Sequence, residues 1–182
     1  GLAAALACSA FVFLLGGGPV EMFCSFIGAG LGNYVRRKMI DHHITLFAGV
    51  AVAVAVACLS YLLALSLMQL TFNVSSRHEA GYIGAMLFII PGFPFITSGL
   101  DISKLDMRSG LERMTYAIAI ITVATLVGWI VALMVNLRPE NFQALPLSAL
   151  MLFLLRLPAS FCGVFGFSIM FNSTPKMAAI AG

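Results

Sequence analysis

The stretch Ile90–Arg113, IPGFPFITSGLDISKLDMRSGLER, decides how the chain is read. It closes an apolar run that begins at Gly81. Pro91 has no backbone donor, and its ring clashes with the preceding helical turn. Gly92 weakens a helix further, and Pro94 repeats the break. Polar groups follow at Thr97, Ser98, Asp101, Lys104, Asp106, Arg108 and Ser109. Non-helical backbone at membrane depth persists only where it is buried in protein or faces a water-filled cavity. Discontinuous helices of this kind build the binding sites of secondary transporters. The pattern therefore predicts a transmembrane helix broken at Pro91-Gly92.

The whole chain agrees with a membrane setting. Its 182 residues are 61% hydrophobic and 9% charged, with mean hydropathy +1.04. Soluble domains carry about 25% charged residues, so a soluble fold would lack polar surface. The apolar runs are longer than strands and lack the alternation of a transmembrane barrel. The expected fold is all-α, a polytopic helical bundle of about six spans. A net charge of +3 without a basic patch excludes nucleic acid as a partner. Cys8, Cys24, Cys58 and Cys162 lie inside apolar runs without metal-ligand spacing, and read as small packing residues.

Outward from the break, the runs are Leu2–Leu15, Val20–Val35, Ile44–Phe72, Gly81–Ile90, Met114–Asn136 and Leu145–Phe171. Another starts at Met177. Gly1 opens directly inside an apolar run and Gly182 follows another, so both ends read as cut. Gly16-Gly17-Gly18-Pro19 is a turn signal, and Glu21 stands where a carboxylate suits a helix start. Gly28-xxx-Gly32 and the series Gly49, Ala53, Ala57 are spaced for close helix contact. Asn73–Ala80 and Leu137–Ala144 read as polar loops. Trp129 lies near one end of the fifth run, and the sixth carries Pro146, Arg156 and Pro158.

Alternating spans put Arg36, Arg37, Lys38, Lys104, Arg108, Arg113 and Lys176 on one side and Arg77 and Arg138 on the other. By the positive-inside rule the first side is cytoplasmic, and the chain start with it.

The motif also resembles a known family. Pro91, Gly92, Pro94, Asp101, Asp106, Gly110 and Arg113 match the core pattern of the threonine/serine exporter family. Thr97 stands where that pattern often has Asn, and Leu100 where it often has a basic residue. Leu14-Leu15-Gly16-Gly17 is similar to the family's first hairpin. Phe165-Gly166-Phe167-Ser168, with Asn172 and Pro175, is similar to the start of its second half. The resemblance implies residues 1–136 as a first transmembrane repeat and 145–182 as the start of a second, incomplete one. It implies proton-driven export of small hydroxy amino acids across the cytoplasmic (inner) membrane. Partners would then be the amino acid, protons, the bilayer, and a second copy or a partner half-transporter.

The candidate substrate and proton residues are Pro91, Gly92, Pro94, Thr97, Ser98, Asp101, Asp106, Gly110 and Arg113. Intramembrane carboxylates are costly and usually functional. A plainer reading makes Ser98-x-x-Asp101 a capping box for a half-helix starting after Ser98, and leaves Asp106 in a wet loop. Such a half-helix would aim its positive end at a substrate carboxylate. In helical spacing Asp106, Gly110 and Arg113 share a face that Asp101 does not. Arg113 alone reads as an interfacial anchor, Arg108 and Glu112 as a solvated pair. Arg156 reads as a snorkelling or cavity-facing cation. His42 and His43 beside Asp41 read as a wet loop, and no metal or cofactor is expected. Asn73-Val74-Ser75 and Asn172-Ser173-Thr174 read as chance glycosylation matches. The chain carries neither HExxH nor GxSxG, so an enzyme is not expected. An uncoupled pore or a structural subunit is the alternative to a transporter.

Overall fold

The computed structural model describes residues 1–72, 79–137 and 147–182. Among these there is no strand. The helices are α1 (Leu2–Leu14), α2 (Pro19–Asp41), α3 (Leu46–Phe72), α4 (Glu79–Met86), α5 (Gly92–Ser103), α6 (Met107–Met134), α7 (Ala149–Met170) and α8 (Pro175–Ala181). A 3₁₀ turn, Leu87–Ile89, follows α4. Two expected loops, with Arg77, Arg138 and the Asn73 glycosylation match, fall largely outside the described residues.

The fold is the expected helical membrane bundle. Among the described residues, three helices, α3, α6 and α7, are long and apolar enough to cross a bilayer, or up to four spans if α4 and α5 count as one bent span. The expected six counted α1 and α2. α2 carries Glu21, Arg36, Arg37, Lys38 and Asp41 within one continuous helix. Its basic residues extend the helix beyond Val35 because Arg and Lys are good helix formers.

The core is built of small residues. Gly28 and Gly32 of α2 meet Ala53 and Ala57 of α3. A Cβ on Gly28 would sit 2.7 Å from the Ala57 carbonyl oxygen, and one on Gly32 2.9 Å from that of Ala53. Only glycine permits that approach, which is how helices associate in lipid. On α7, Gly166 lies against Ala3 and Ala7 of α1 in the same way. Tyr61, Phe88, Val50 and Val54 fill the space between helices.

Several helices stop by one device. Gly16 (φ 93), His43 (φ 54), Leu105 (φ 65), Asn136 (φ 54) and Asn172 (φ 65) are left-handed. The N–H of each following residue closes back on a carbonyl five residues earlier, as in Asp106 to Asp101 at 3.0 Å and Ile44 to Met39 at 3.1 Å. The last carbonyls of the helix are thereby satisfied.

Candidate functional site at the broken span

The Gly81–Ile90 run and the polar stretch after it form one bent unit. Ala80–Ile89 and Gly92–Ser103 meet at 61°. Pro91 (φ −81, ψ 63) is the centre of an inverse γ-turn, with the Gly92 N–H donating to the Ile90 carbonyl oxygen at 2.9 Å. The first half is held by its small residues. Gly81 packs on the Tyr61 ring and Gly84 on Val12. Tyr82 donates to the Gly128 carbonyl of α6 at 2.6 Å.

The second half starts earlier than expected. α5 begins at Gly92 and not after Ser98. Pro94 falls in its first turn, where a missing N–H costs nothing and the fixed φ helps. It therefore starts the helix instead of breaking the chain again. The Ser98 capping box does not form, and the expected positive helix end near Ser98 does not exist. At the true start, the Gly92 N–H is taken by the γ-turn and Pro94 has none, which thins the set of amides open to an anion.

Ser98 is instead a buried tie between helices. Its hydroxyl donates to the Gly110 carbonyl oxygen of α6 at 2.7 Å. Gly110 allows the contact: a Cβ there would lie 2.5 Å from Ile102 Cγ1 and 3.2 Å from the Ser98 carbonyl oxygen. Further along, Arg113 Nε lies 3.2 Å from Asp101 Oδ2. That oxygen is shielded from solvent and accepts no aligned hydrogen bond, so the pair is electrostatic in kind. Arg113 is therefore more than the interfacial anchor its position implied.

The remaining candidates stand apart. Thr97, half-buried, donates to the Phe93 and Pro94 carbonyls of its own helix, at 2.9 and 3.2 Å. Asp106 is exposed and caps α6, accepting from the Ser109 N–H at 3.3 Å. Arg108 and Glu112 form the expected solvated pair at 3.3 Å. Arg156 is exposed on α7. Thus Ser98, Asp101, Gly110 and Arg113 come together between α5 and α6, while Pro91, Gly92 and Pro94 form the break. Gly92 and Asp101 are separated by about 14 Å of helix.

Sequence reasoning passed over a second polar group. Glu21, Ser25 and Asn33 of α2 are buried, at 5%, 0% and 3% exposure. With Ala29 they recur every four residues, one helical face, and that periodicity was the available signal. The Glu21 carboxylate accepts from the Gly18 N–H at 2.9 Å, as its place at the helix start implied. A separate cavity of about 400 Å³ opens between α1, α2 and α7, lined by apolar groups with Ser9 and Cys162. It holds none of the candidate residues. Among the described residues, no cluster of His, Cys, Asp or Glu could hold a metal ion.

A bent helix pair inside a bundle of apolar helices defines a multi-pass membrane protein. Residues 1–136 match the family model ThrE, described as "Putative threonine/serine exporter", and the chain belongs to that family. It is 27% identical over 136 residues to the "Probable succinate transporter subunit YjjP" of Escherichia coli (strain K12). That match covers 70% of this chain and 48% of the relative, so the chain spans about half the length of the curated relative it matches. No solved structure matches the chain.

Proposed function

We propose that the protein is a secondary transporter that exports small hydroxy amino acids, threonine and serine, across the cytoplasmic membrane in exchange for protons. One observation carries the reading: the span bent by 61° at Pro91-Gly92, inside the region the family model matches. A continuous helix satisfies its own backbone, whereas a broken one frees groups for a solute at depth. Thr97 and Ser98, one to two turns beyond the break, supply hydroxyls for a solute hydroxyl once released from their present acceptors. Asp101, released from Arg113, supplies an acceptor for its ammonium.

The relative's name favours a second reading of the cargo, a dicarboxylate, and of the assembly, a subunit. We propose that this chain works with a second copy or a partner chain, residues 1–136 forming the first repeat and 145–182 opening the second. The N-terminal side and the Lys104–Arg113 segment face the cytoplasm in this reading.

The experiment is efflux from proteoliposomes loaded with labelled threonine, serine, alanine or succinate, diluted into acidic or neutral medium. Inward proton gradients should accelerate threonine and serine efflux. The double variant Pro91→Ala/Gly92→Ala should straighten the span and abolish this efflux while stability holds or rises; a Cβ on Gly92 meets nothing within 4 Å. Gradient-independent efflux would mark an uncoupled pore. Efflux of succinate alone would overturn the amino-acid cargo. Normal transport by the double variant would reduce the break to a tolerated kink.

A further inference from the structure

We propose that Glu21 is the group at which the transport cycle takes up and releases its proton, at the head of a polar stripe that α2 lays along the broken span. The inference rests on the proton-coupled reading above and places the coupling outside the Pro-Gly motif.

Glu21 is a buried carboxylate in an apolar bundle, and ionisable groups in such settings serve proton relays and solute pathways. Asp101 already faces a cation, and Asp106 is an exposed cap. Below Glu21 on the same helical face come Ser25 and Asn33. The Ser25 hydroxyl and the Asn33 amide nitrogen are shut off from solvent without a hydrogen-bond partner. Buried polar groups left so are costly, and a stripe of them suits groups that take partners in another state of the cycle.

The stripe runs beside the broken span. The Ser25 oxygen is 3.4 Å from where a Cβ on Gly84 of α4 would lie. Gly28 touches Ala85, and Gly32, next to Asn33, touches the Phe88 ring in the 3₁₀ turn before Pro91. The path therefore leads from Glu21 toward the γ-turn. Titratable groups facing Glu21 include Cys24 on its own helix and Tyr61 on α3. Behind Tyr61, its ring 6.2 Å away, stands Tyr82 of α4. Val12 of α1, which meets Gly17 beside the Glu21 carboxylate, adds only an apolar wall.

Protonation has a direct structural effect. The carboxylate holds the Gly18 N–H through a charge-assisted bond. Adding one proton converts it to a neutral acid, weakens that bond and loosens the glycine turn between α1 and α2. Loss of the proton restores it.

The test is Glu21→Gln in the same proteoliposomes, together with carbodiimide labelling of the wild type. Glutamine still accepts from the Gly18 N–H but holds no exchangeable acid. The variant should insert and exchange threonine across the membrane, yet lose gradient-driven accumulation. Dicyclohexylcarbodiimide, which attacks protonated carboxyls, should modify Glu21 to an extent that falls as pH rises. Gradient-driven accumulation by Glu21→Gln at the wild-type level overturns the inference alone. Labelling of Glu21 that ignores pH also overturns it. A wild type whose flux ignores the gradient overturns the transporter reading and the coupling role with it.

Discussion

Arg113 Nε lies 3.2 Å from Asp101 Oδ2, joining the end of α5 to the first two turns of α6. The arginine side chain is half exposed and the aspartate a quarter exposed, so water screens the pair from the arginine side although Asp101 Oδ2 itself is shielded. Such pairs contribute about 0.2–1 kcal/mol. Asp101→Asn and Arg113→Gln should each lower thermal stability slightly. A double-mutant cycle should return a coupling below about 1 kcal/mol that shrinks as salt is raised. A much larger coupling would show that the pair is sealed from water. The neighbouring Ser98→Ala should cost about 1 kcal/mol by removing the donor to the Gly110 carbonyl.

α2 should be intolerant of substitution at its α3-facing glycine and tolerant at its α1-facing one. A Cβ on Gly32 would sit 2.7 Å from Ala57 Cβ and 2.9 Å from the Ala53 carbonyl oxygen. Gly32→Ala should therefore destabilise by about 1–3 kcal/mol. On the α1 side, a Cβ on Gly30 would meet only Ala5 Cβ at 3.4 Å. Gly30→Ala should be neutral or stabilise by up to about 1 kcal/mol through helix propensity. Thermal melting in detergent compares the two, and equal effects would refute the seam.

Leu105 is 85% exposed and left-handed, with φ 65. A branched side chain pays about 1–2 kcal/mol for that conformation. Leu105→Gly should raise stability by about 1 kcal/mol after the added freedom of the unfolded chain is subtracted. Asn136→Gly, at an asparagine that tolerates φ 54, should gain less. A drop in melting temperature for Leu105→Gly would mean the leucine is held by lipid or a partner.

Orientation is tested at the two ends of α6. Cysteine at Ser109 should resist an impermeant thiol reagent applied to intact cells, and cysteine at Asn136 should react. The opposite pattern reverses the topology.

The sequence made the helical membrane fold, the break at Pro91-Gly92 and the glycine seam legible, because each follows from local chemistry: missing donors, hydropathy and four-residue spacing. It misjudged where the broken helix restarts, since proline reads as a breaker unless its place in the first turn is known. The pairing of Asp101 with Arg113 depends on the reversal at Leu105, which one-helix spacing does not contain. The burial of Glu21 depends on how α1 and α3 cover the start of α2, a tertiary fact. The stripe of Glu21, Ser25 and Asn33 was visible in periodicity alone, yet hidden by the prominence of the Pro-Gly motif.

The left-handed helix ends bear on how the bundle sits in lipid. A reversal that satisfies its own carbonyls has little need of water, so it can lie beneath the headgroups. Helices of unequal length, such as the 28-residue α6 and the 22-residue α7, can then share one bilayer. The turn at Gly16 closes on Val12 and Phe13 in this way. Such turns let hydrophobic mismatch be met locally at a helix end, without tilt of the whole bundle. The protein should keep its packing across membranes of different thickness.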